Sequence, residues 1–348
     1  GTITINGSGG VGQNRRHGVV ISGGEILSAV AEIEISGRNR SGIGEGIVLT
    51  SGQIGGDAST ADITLITDTI DLAGGEIDSD GTLTIKPLAT LVTPSIGLGG
   101  AAGDLNLNDA ELARLADGFA SIVIGDDVST QSILVETVTF TDPVTLIASR
   151  INDGGGNDIT MLNGDPVTFV GLISPGDDDT VEILEVDGPL VIDTTSTTYI
   201  EIDSPARINS GGLIIDVVDP HDIIRATGTV TLGGDLTLDL SDITNGELTG
   251  GETFSIIRSA GLTGEFANAA QGSIVATNVA GNPDLVLVID YTITNVVLRA
   301  VRALDFGDAP TSYPTLESDG GPSHSVTSNL FLGASVDFEN DGSPSVLE

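Results

Sequence analysis

One short pattern returns at a fixed interval near the start of the chain. Thr2-Ile3-Thr4-Ile5-Asn6-Gly7 is answered by Glu32-Ile33-Glu34-Ile35-Ser36-Gly37 and then by Asp62-Ile63-Thr64-Leu65, so the step from Ile3 to Ile33 equals the step from Ile33 to Ile63. A second segment repeats in step. It reads Gly18-Val19-Val20-Ile21-Ser22-Gly23-Gly24-Glu25-Ile26, then Gly46-Ile47-Val48-Leu49-Thr50-Ser51-Gly52-Gln53-Ile54. The third copy, Thr69-Ile70-Asp71-Leu72-Ala73-Gly74-Gly75-Glu76-Ile77, arrives early because the loop before it has shrunk. Thr82-Leu83-Thr84-Ile85 continues the first pattern. A repeat of this kind marks an architecture of stacked supersecondary units.

Apolar and polar residues alternate within each copy, the period of a strand with one buried face. Ile3 and Ile5 then share one side, and Thr2 and Thr4 the other. A single unit of this kind cannot bury its apolar face, whereas stacked coils can, each Ile seated over the Ile of the next coil. Loops that point sideways are free to change length without disturbing the stack. Glycines after the strands permit the positive φ of tight corners. These features predict an all-β chain, a right-handed parallel β-helix (β-solenoid) with one short helix and a β-rich C-terminal cap.

Composition agrees with that reading and excludes several functions. The chain has 348 residues, no Cys and no Trp. Disulfides, thiolate catalysis and Cys-based metal sites are therefore ruled out. With 39% hydrophobic residues but only 3% aromatic ones, its core must be built from Ile, Val and Leu. Twelve basic residues against 50 acidic ones give a net charge of −38. Nucleic-acid backbones and anionic membranes repel such a chain. Apolar runs such as 285–289 are far shorter than the roughly 20 residues of a spanning helix, so no direct membrane insertion is expected. The first residues already lie in a strand pattern, as in a fragment of a longer secreted protein.

Further along, Leu105-Asn106-Leu107, Ser121-Ile122-Val123-Ile124, Val138-Thr139-Phe140, Val144-Thr145-Leu146, Ile159-Thr160-Met161, Val181-Glu182-Ile183, Leu190-Val191-Ile192 and Ile200-Glu201-Ile202 read as further rungs. Residues 108–116 form the one plausible helix. Asn108 or Asp109 caps it, and Leu112 and Leu115 anchor it.

The Gly-Val-Val-Ile repeats, Asp80-Gly-Thr-Leu-Thr-Ile-Lys-Pro-Leu88, Ile96-Gly-Leu-Gly-Gly100, Leu105-Asn-Leu-Asn-Asp-Ala-Glu-Leu112 and Leu115-Ala-Asp-Gly-Phe-Ala-Ser-Ile-Val-Ile-Gly125 resemble haemagglutinin-type adhesins of the bacterial surface. That resemblance implies a long right-handed β-helix carried outside the cell. From about Asp219 the stretch around 222–238, with Gly251-Glu-Thr-Phe-Ser-Ile-Ile257, Thr263-Gly-Glu-Phe266 and Asp284-Leu-Val-Leu-Val288, is similar to the C-terminal passenger segment of autotransporter-like proteins, which closes the stack. Asp305-Phe-Gly-Asp-Ala-Pro310, followed by residues 336–342, resembles the start of an extracellular Asp-Phe-Gly-Asp-Ala-Pro module. The expected organisation is a β-helix over 1–218, a passenger-like capping segment continuing it over 219–302, and a partial module over 303–348.

Chemistry is sparse. His17, His221 and His324 lie far apart, and no Gly-x-Ser-x-Gly elbow accompanies them. All three are expected to be exposed and chemically idle. Polygalacturonase-like enzymes share the expected fold class. Of their signatures only Asp-Asp has a literal match, at Asp126-Asp127 and within Asp177-Asp178-Asp179. A polysaccharide lyase or hydrolase is accordingly the alternative to a non-catalytic role. Calcium is the more credible ligand of so many acids. Its candidate site joins Asp305 and Asp308 to Asp337, Glu339 and Asp341. The acidic, Gly-containing stretches 152–158 and 175–179 are weaker candidates. Ice binding through Thr-x-Thr ladders is rejected, because Glu32, Glu34 and Asp62 put charge among Thr2, Thr4, Thr82 and Thr84.

The function expected from the sequence is a non-catalytic structural or adhesive segment of a secreted, cell-surface bacterial protein. Two loops, 8–17 and 38–45, hold Arg15, Arg16, Arg38 and Arg40. Stacked one repeat apart, they would make a basic patch on an acidic rod. Its expected partners are an acidic glycan, a cell-surface receptor or a second copy of the chain.

Overall fold

The computed structural model describes residues 1–11, 16–40, 43–89, 91, 93–153, 158–176, 181–203, 207–210, 213–216, 221–243, 248, 250–306, 314 and 316–325. Ten strands lie side by side in one wall. They are Ile3–Ser8, Ile33–Arg38, Ile63–Thr67, Thr82–Pro87, Ser121–Gly125, Val144–Asp153, Val167–Ser174, Leu190–Ile192, Thr229–Thr231 and Gly261–Thr263. Each is parallel to the next, and each belongs to one coil of the chain.

Register is what the repeat predicts. Ile3 lies opposite Ile33, Ile33 opposite Ile63, and Ile63 opposite Leu83. The column runs on through Ile122, Val144, Val167, Leu190, Val230 and Leu262. A second column, two positions along, contains Ile5, Ile35, Leu65, Ile85, Ile124, Leu146, Phe169 and Ile192. Ile33, Ile63, Leu83, Val167 and Leu190 are fully buried. Ile3 and Leu262, which end the first column and have one neighbour each, are only half-buried.

Parallel strands require a crossover, and here further strands and corners supply it. Val19–Ile26, Ile47–Gly55, Ile70–Asp71 and Glu76–Asp78 form a second parallel wall beside the first coils. Ile26, Ile54 and Ile77 stand in register there. Later coils use Val138–Phe140, Asp158–Met161, Ile183–Asp187 and Ile223–Ala226, again parallel. The protein is thus an all-β parallel β-helix.

Corners are tight enough to demand glycine. A Cβ at Gly37 would lie 2.1 Å from the Gly46 carbonyl oxygen. Inside one corner, buried Ser59 donates to the Ser28 carbonyl at 2.6 Å, and buried Ser79 donates to the carbonyls of Ser59 and Ala61 at 3.0 and 2.7 Å. These bonds remove the penalty of burying a hydroxyl.

The helix is shorter than expected, spanning only Asp109–Leu112. Asn108 accepts from the backbone of Ala110 and Glu111, and Glu111 Oε2 accepts from the Asn108 backbone, a reciprocal capping box. Solenoid pairing ends it. Ile77 N donates to Arg114 O, and Ala116 N donates to Ile77 O, so Leu115 is taken into a parallel bridge with Ile77. Two rungs also shift: the strand placed at 181–183 begins at Ile183, and the 69–77 strand is divided by a turn.

Two compact units are present. The first comprises 1–200, 222–237 and 258–268, and the second 201–221, 238–257 and 269–348. In the second, Ile274–Thr277, Leu285–Tyr291 and Asn295–Arg302 are antiparallel neighbours. Val286, Val288, Val301 and Ala303 form a buried cluster there, and Arg299 bridges Asp290 across the hairpin at 3.0 Å.

Candidate functional site: the loop stack of the first coils

The two loops that carry the arginines are neighbours. Gly9 N donates to Arg38 O at 2.8 Å, Arg16 N to Ile43 O at 3.1 Å, and Gly18 N to Glu45 O at 3.0 Å. The cause is the register below them, which sets Ser8 opposite Arg38. Strands held in step bring out their following loops at the same height. Arg16 and Arg40 are exposed and Arg38 is half-buried. Arg15 lies outside the described residues.

Two acids border the arginines. Asp68 follows Thr67, which sits opposite Gly37, and so lies under the Arg38 segment. Both of its carboxylate oxygens accept from Asn39 N, at 2.8 and 2.9 Å. Burial raises its pKa above the usual range, against the lowering effect of those bonds and of the Arg38 charge. Glu45 is the second acid, and its backbone N donates to His17 Nδ1 at 3.0 Å, which leaves the ring proton on Nε2 in the neutral form. Among the described residues, Arg16, Arg38 and Arg40 make no ion pair within 4.0 Å. Elsewhere Lys86 pairs with Asp126, Arg225 with Glu185 and Arg299 with Asp290. Arg38 stands within electrostatic reach of Asp68; a guanidinium with no carboxylate held against it retains its capacity to bind an anion.

The other sequence candidates are dispersed. Asp126 accepts from the backbone and hydroxyl of Ser129, at 2.5 and 2.6 Å, and lies 3.3 Å from Lys86 Nζ. Burial raises the pKa of Asp126, but the Ser129 bonds and the Lys86 charge outweigh it and hold the carboxyl below its ordinary value. Such a carboxylate is a turn anchor and a poor proton donor. Residues 177–179 lie outside the described residues. Of the calcium candidates, Asp305 lies in the strand Leu304–Phe306, its backbone opposite His324. Asp308, Asp337, Glu339 and Asp341 lie outside the described residues. Among the described residues, no group of three or more His, Asp or Glu is placed to hold a metal ion, and no helix is long and apolar enough to cross a membrane. Two histidines correct the expectation of exposure. His17 is half-buried. His221 is 3% exposed, edge-on to Phe254 with ring centroids 5.6 Å apart, and its Nε2 is 3.3 Å from Ser255 O.

Sequence reasoning missed Glu111. Its carboxyl is buried, and burial raises its pKa to about 7, with the charges of Asp71 and Glu45 adding to the rise and the Asn108 and Leu72 backbone bonds opposing it. The Asn-x-x-Glu spacing was the available signal. No protein-family model matches the chain, and no curated protein matches it.

Proposed function

We propose that this chain is a non-catalytic structural and adhesive segment of a secreted bacterial surface protein. In this reading a rigid β-solenoid presents loops, and the Arg16, Arg38 and Arg40 stack contacts an acidic glycan. The observation that carries it is the contrast between interior and exterior. Successive members of the first apolar column are unevenly spaced along the chain. The path from Leu190 to Val230 is twice as long as the path from Ile63 to Leu83, yet the strands stay in register. A scaffold with a constant core and loops of free length suits display. Three arginines on adjacent loops of a chain with net charge −38 make a local exception that suits an anionic partner.

The test is binding of the folded chain to immobilised acidic polysaccharides at low salt. The combined variant Arg16→Ala, Arg38→Ala, Arg40→Ala should lose at least about tenfold in affinity, about 1.4 kcal/mol. Unchanged binding by that variant, or no binding by the native chain, overturns the reading. The engagement of Asp126 by Ser129 and Lys86 weighs against the alternative, a polysaccharide-degrading enzyme. Release of new reducing ends from an acidic polysaccharide would favour the enzyme.

A further inference from the structure

The outward side of the ten-strand wall carries a second ordered column. Thr64 lies opposite Thr84, Thr84 opposite Val123, and Val123 opposite Thr145. Thr168, Val191, Thr231 and Thr263 follow in unbroken register. The first two coils hold Thr4 and Glu34 at this position. From the third coil to the tenth, then, every member is an uncharged β-branched residue. Flanking outward positions add Ile66, Ile147 and Val170 on one side, and Pro143, Pro166 and Pro189 on the other, with two acids among them, Asp62 on the third coil and Asp193 on the eighth. Lys86, which shares this face, is neutralised by Asp126 at 3.3 Å. All of these belong to the first compact unit.

On a chain with 50 acidic residues, a column of eight coils without charge is a selective feature. Solvation alone does not require it, since the first two coils show that Glu34 is accommodated at the same position. The hydroxyls also face outward. Thr263 Oγ1 donates to Thr231 Oγ1 at 3.2 Å, while those of Thr64, Thr84, Thr145 and Thr168 have no partner among the described residues.

We infer that this strip is a self-association face that takes a second copy of the same chain. Two arguments select that occupant. The first is area. Eight coils at about 4.8 Å give roughly 38 Å, and three outward positions along each strand give roughly 15 Å. The footprint is about 570 Å² per copy, or about 1,100 Å² in all, just above the roughly 1,000 Å² of a specific contact. The second is charge. Copies with net charge −38 repel one another, and along the central column of this face two can meet with carboxylates, such as Asp62 and Asp193, only at its edges. A two-fold arrangement is self-complementary: methyls of Thr and Val interdigitate between sheets about 10 Å apart, and Thr hydroxyls bond across the gap. Salt should strengthen the contact by screening the remaining repulsion, whereas salt weakens a bond between arginine and an anion. This face is separate from the arginine stack, so either assignment can fail alone.

Sedimentation velocity over about 5–500 µM protein, at about 0.05 and 0.5 M NaCl, tests the inference. The native chain should show a monomer–dimer equilibrium that tightens with salt. The double variant Thr168→Glu, Val191→Glu should weaken it at least about tenfold. Thr231→Glu with Thr263→Glu, at more exposed positions, gives a second reading should the first variant fold poorly. The arginine triple variant should leave the equilibrium unchanged. A monomer at every concentration and salt overturns the inference, as does a dimer indifferent to both glutamate pairs, or one lost only with the arginines.

Discussion

Replacing Ile63 by Ala tests the stacked interior most directly. Ile63 is fully buried, with Ile33 on one side and Leu83 on the other. The substitution removes three carbons at about 0.8 kcal/mol each, roughly 2.4 kcal/mol of transfer free energy. It also leaves a cavity that both neighbouring coils would have to close. Measured Ile→Ala costs run from about 2 to 5 kcal/mol, and a site fixed by strand pairing on both sides belongs in the middle of that range, at about 3–4 kcal/mol. Ile3→Ala is the matched control: the same atoms leave the same column, but Ile3 pairs only with Ile33 and is half-buried. About 1 kcal/mol is expected there. Urea unfolding followed by circular dichroism gives both values, and amide exchange shows whether protection falls first in Ile63–Thr67 and its two neighbouring strands. Equal losses for the two substitutions would refute the argument, because stability would then not depend on having a coil on each side.

Two further outcomes follow from the corners and the helix. Gly37→Ala should destabilise the first coils by more than about 2 kcal/mol, since its Cβ would meet the Gly46 carbonyl at 2.1 Å and neither backbone can retreat without breaking strand pairing; urea unfolding of the variant measures it. Glu111 predicts a pH dependence with a definite sign. Its folded pKa of about 7 stands above the ordinary 4.5, so the folded state holds the proton more tightly than the unfolded chain does. That stabilising contribution is complete below about pH 4.5 and is lost as pH rises to about 7, at up to about 1.4 kcal/mol per pH unit. Glu111→Gln should flatten this part of the stability–pH curve, and an unaltered slope would refute the assignment.

The column positions can be read from the sequence because a buried wall with period two tolerates little but Ile, Leu and Val. The equal steps between Ile3, Ile33 and Ile63 state their register outright. Beyond Leu83 the spacing is irregular, and only the alternation inside each strand survives as a signal. The helix is overextended in the sequence because residues 113–116 keep a helical pattern locally, while Ile77, far away in the chain, claims the backbone on both sides of Leu115. His221 misleads for a similar reason: a loop-like neighbourhood beside Pro220 carries no trace of Phe254, which belongs to a later strand. The adjacency of the two loops that carry Arg16 and Arg38 was legible as a consequence of register. The acids beside them were not, since Asp68 meets the patch through its bonds to Asn39, a contact that no local pattern announces. The outward Thr and Val column is hidden because its second coil sets the charged Glu34 between Thr4 and Thr64.

The uneven path between column members, twice as long after Leu190 as after Ile63, has an evolutionary meaning. Insertions and deletions at the corners leave the hydrophobic grammar of the wall intact, so this lineage is free to trial new surface segments without renegotiating how it folds. Variation in such a gene should gather where the backbone turns and thin out along the aliphatic stripe.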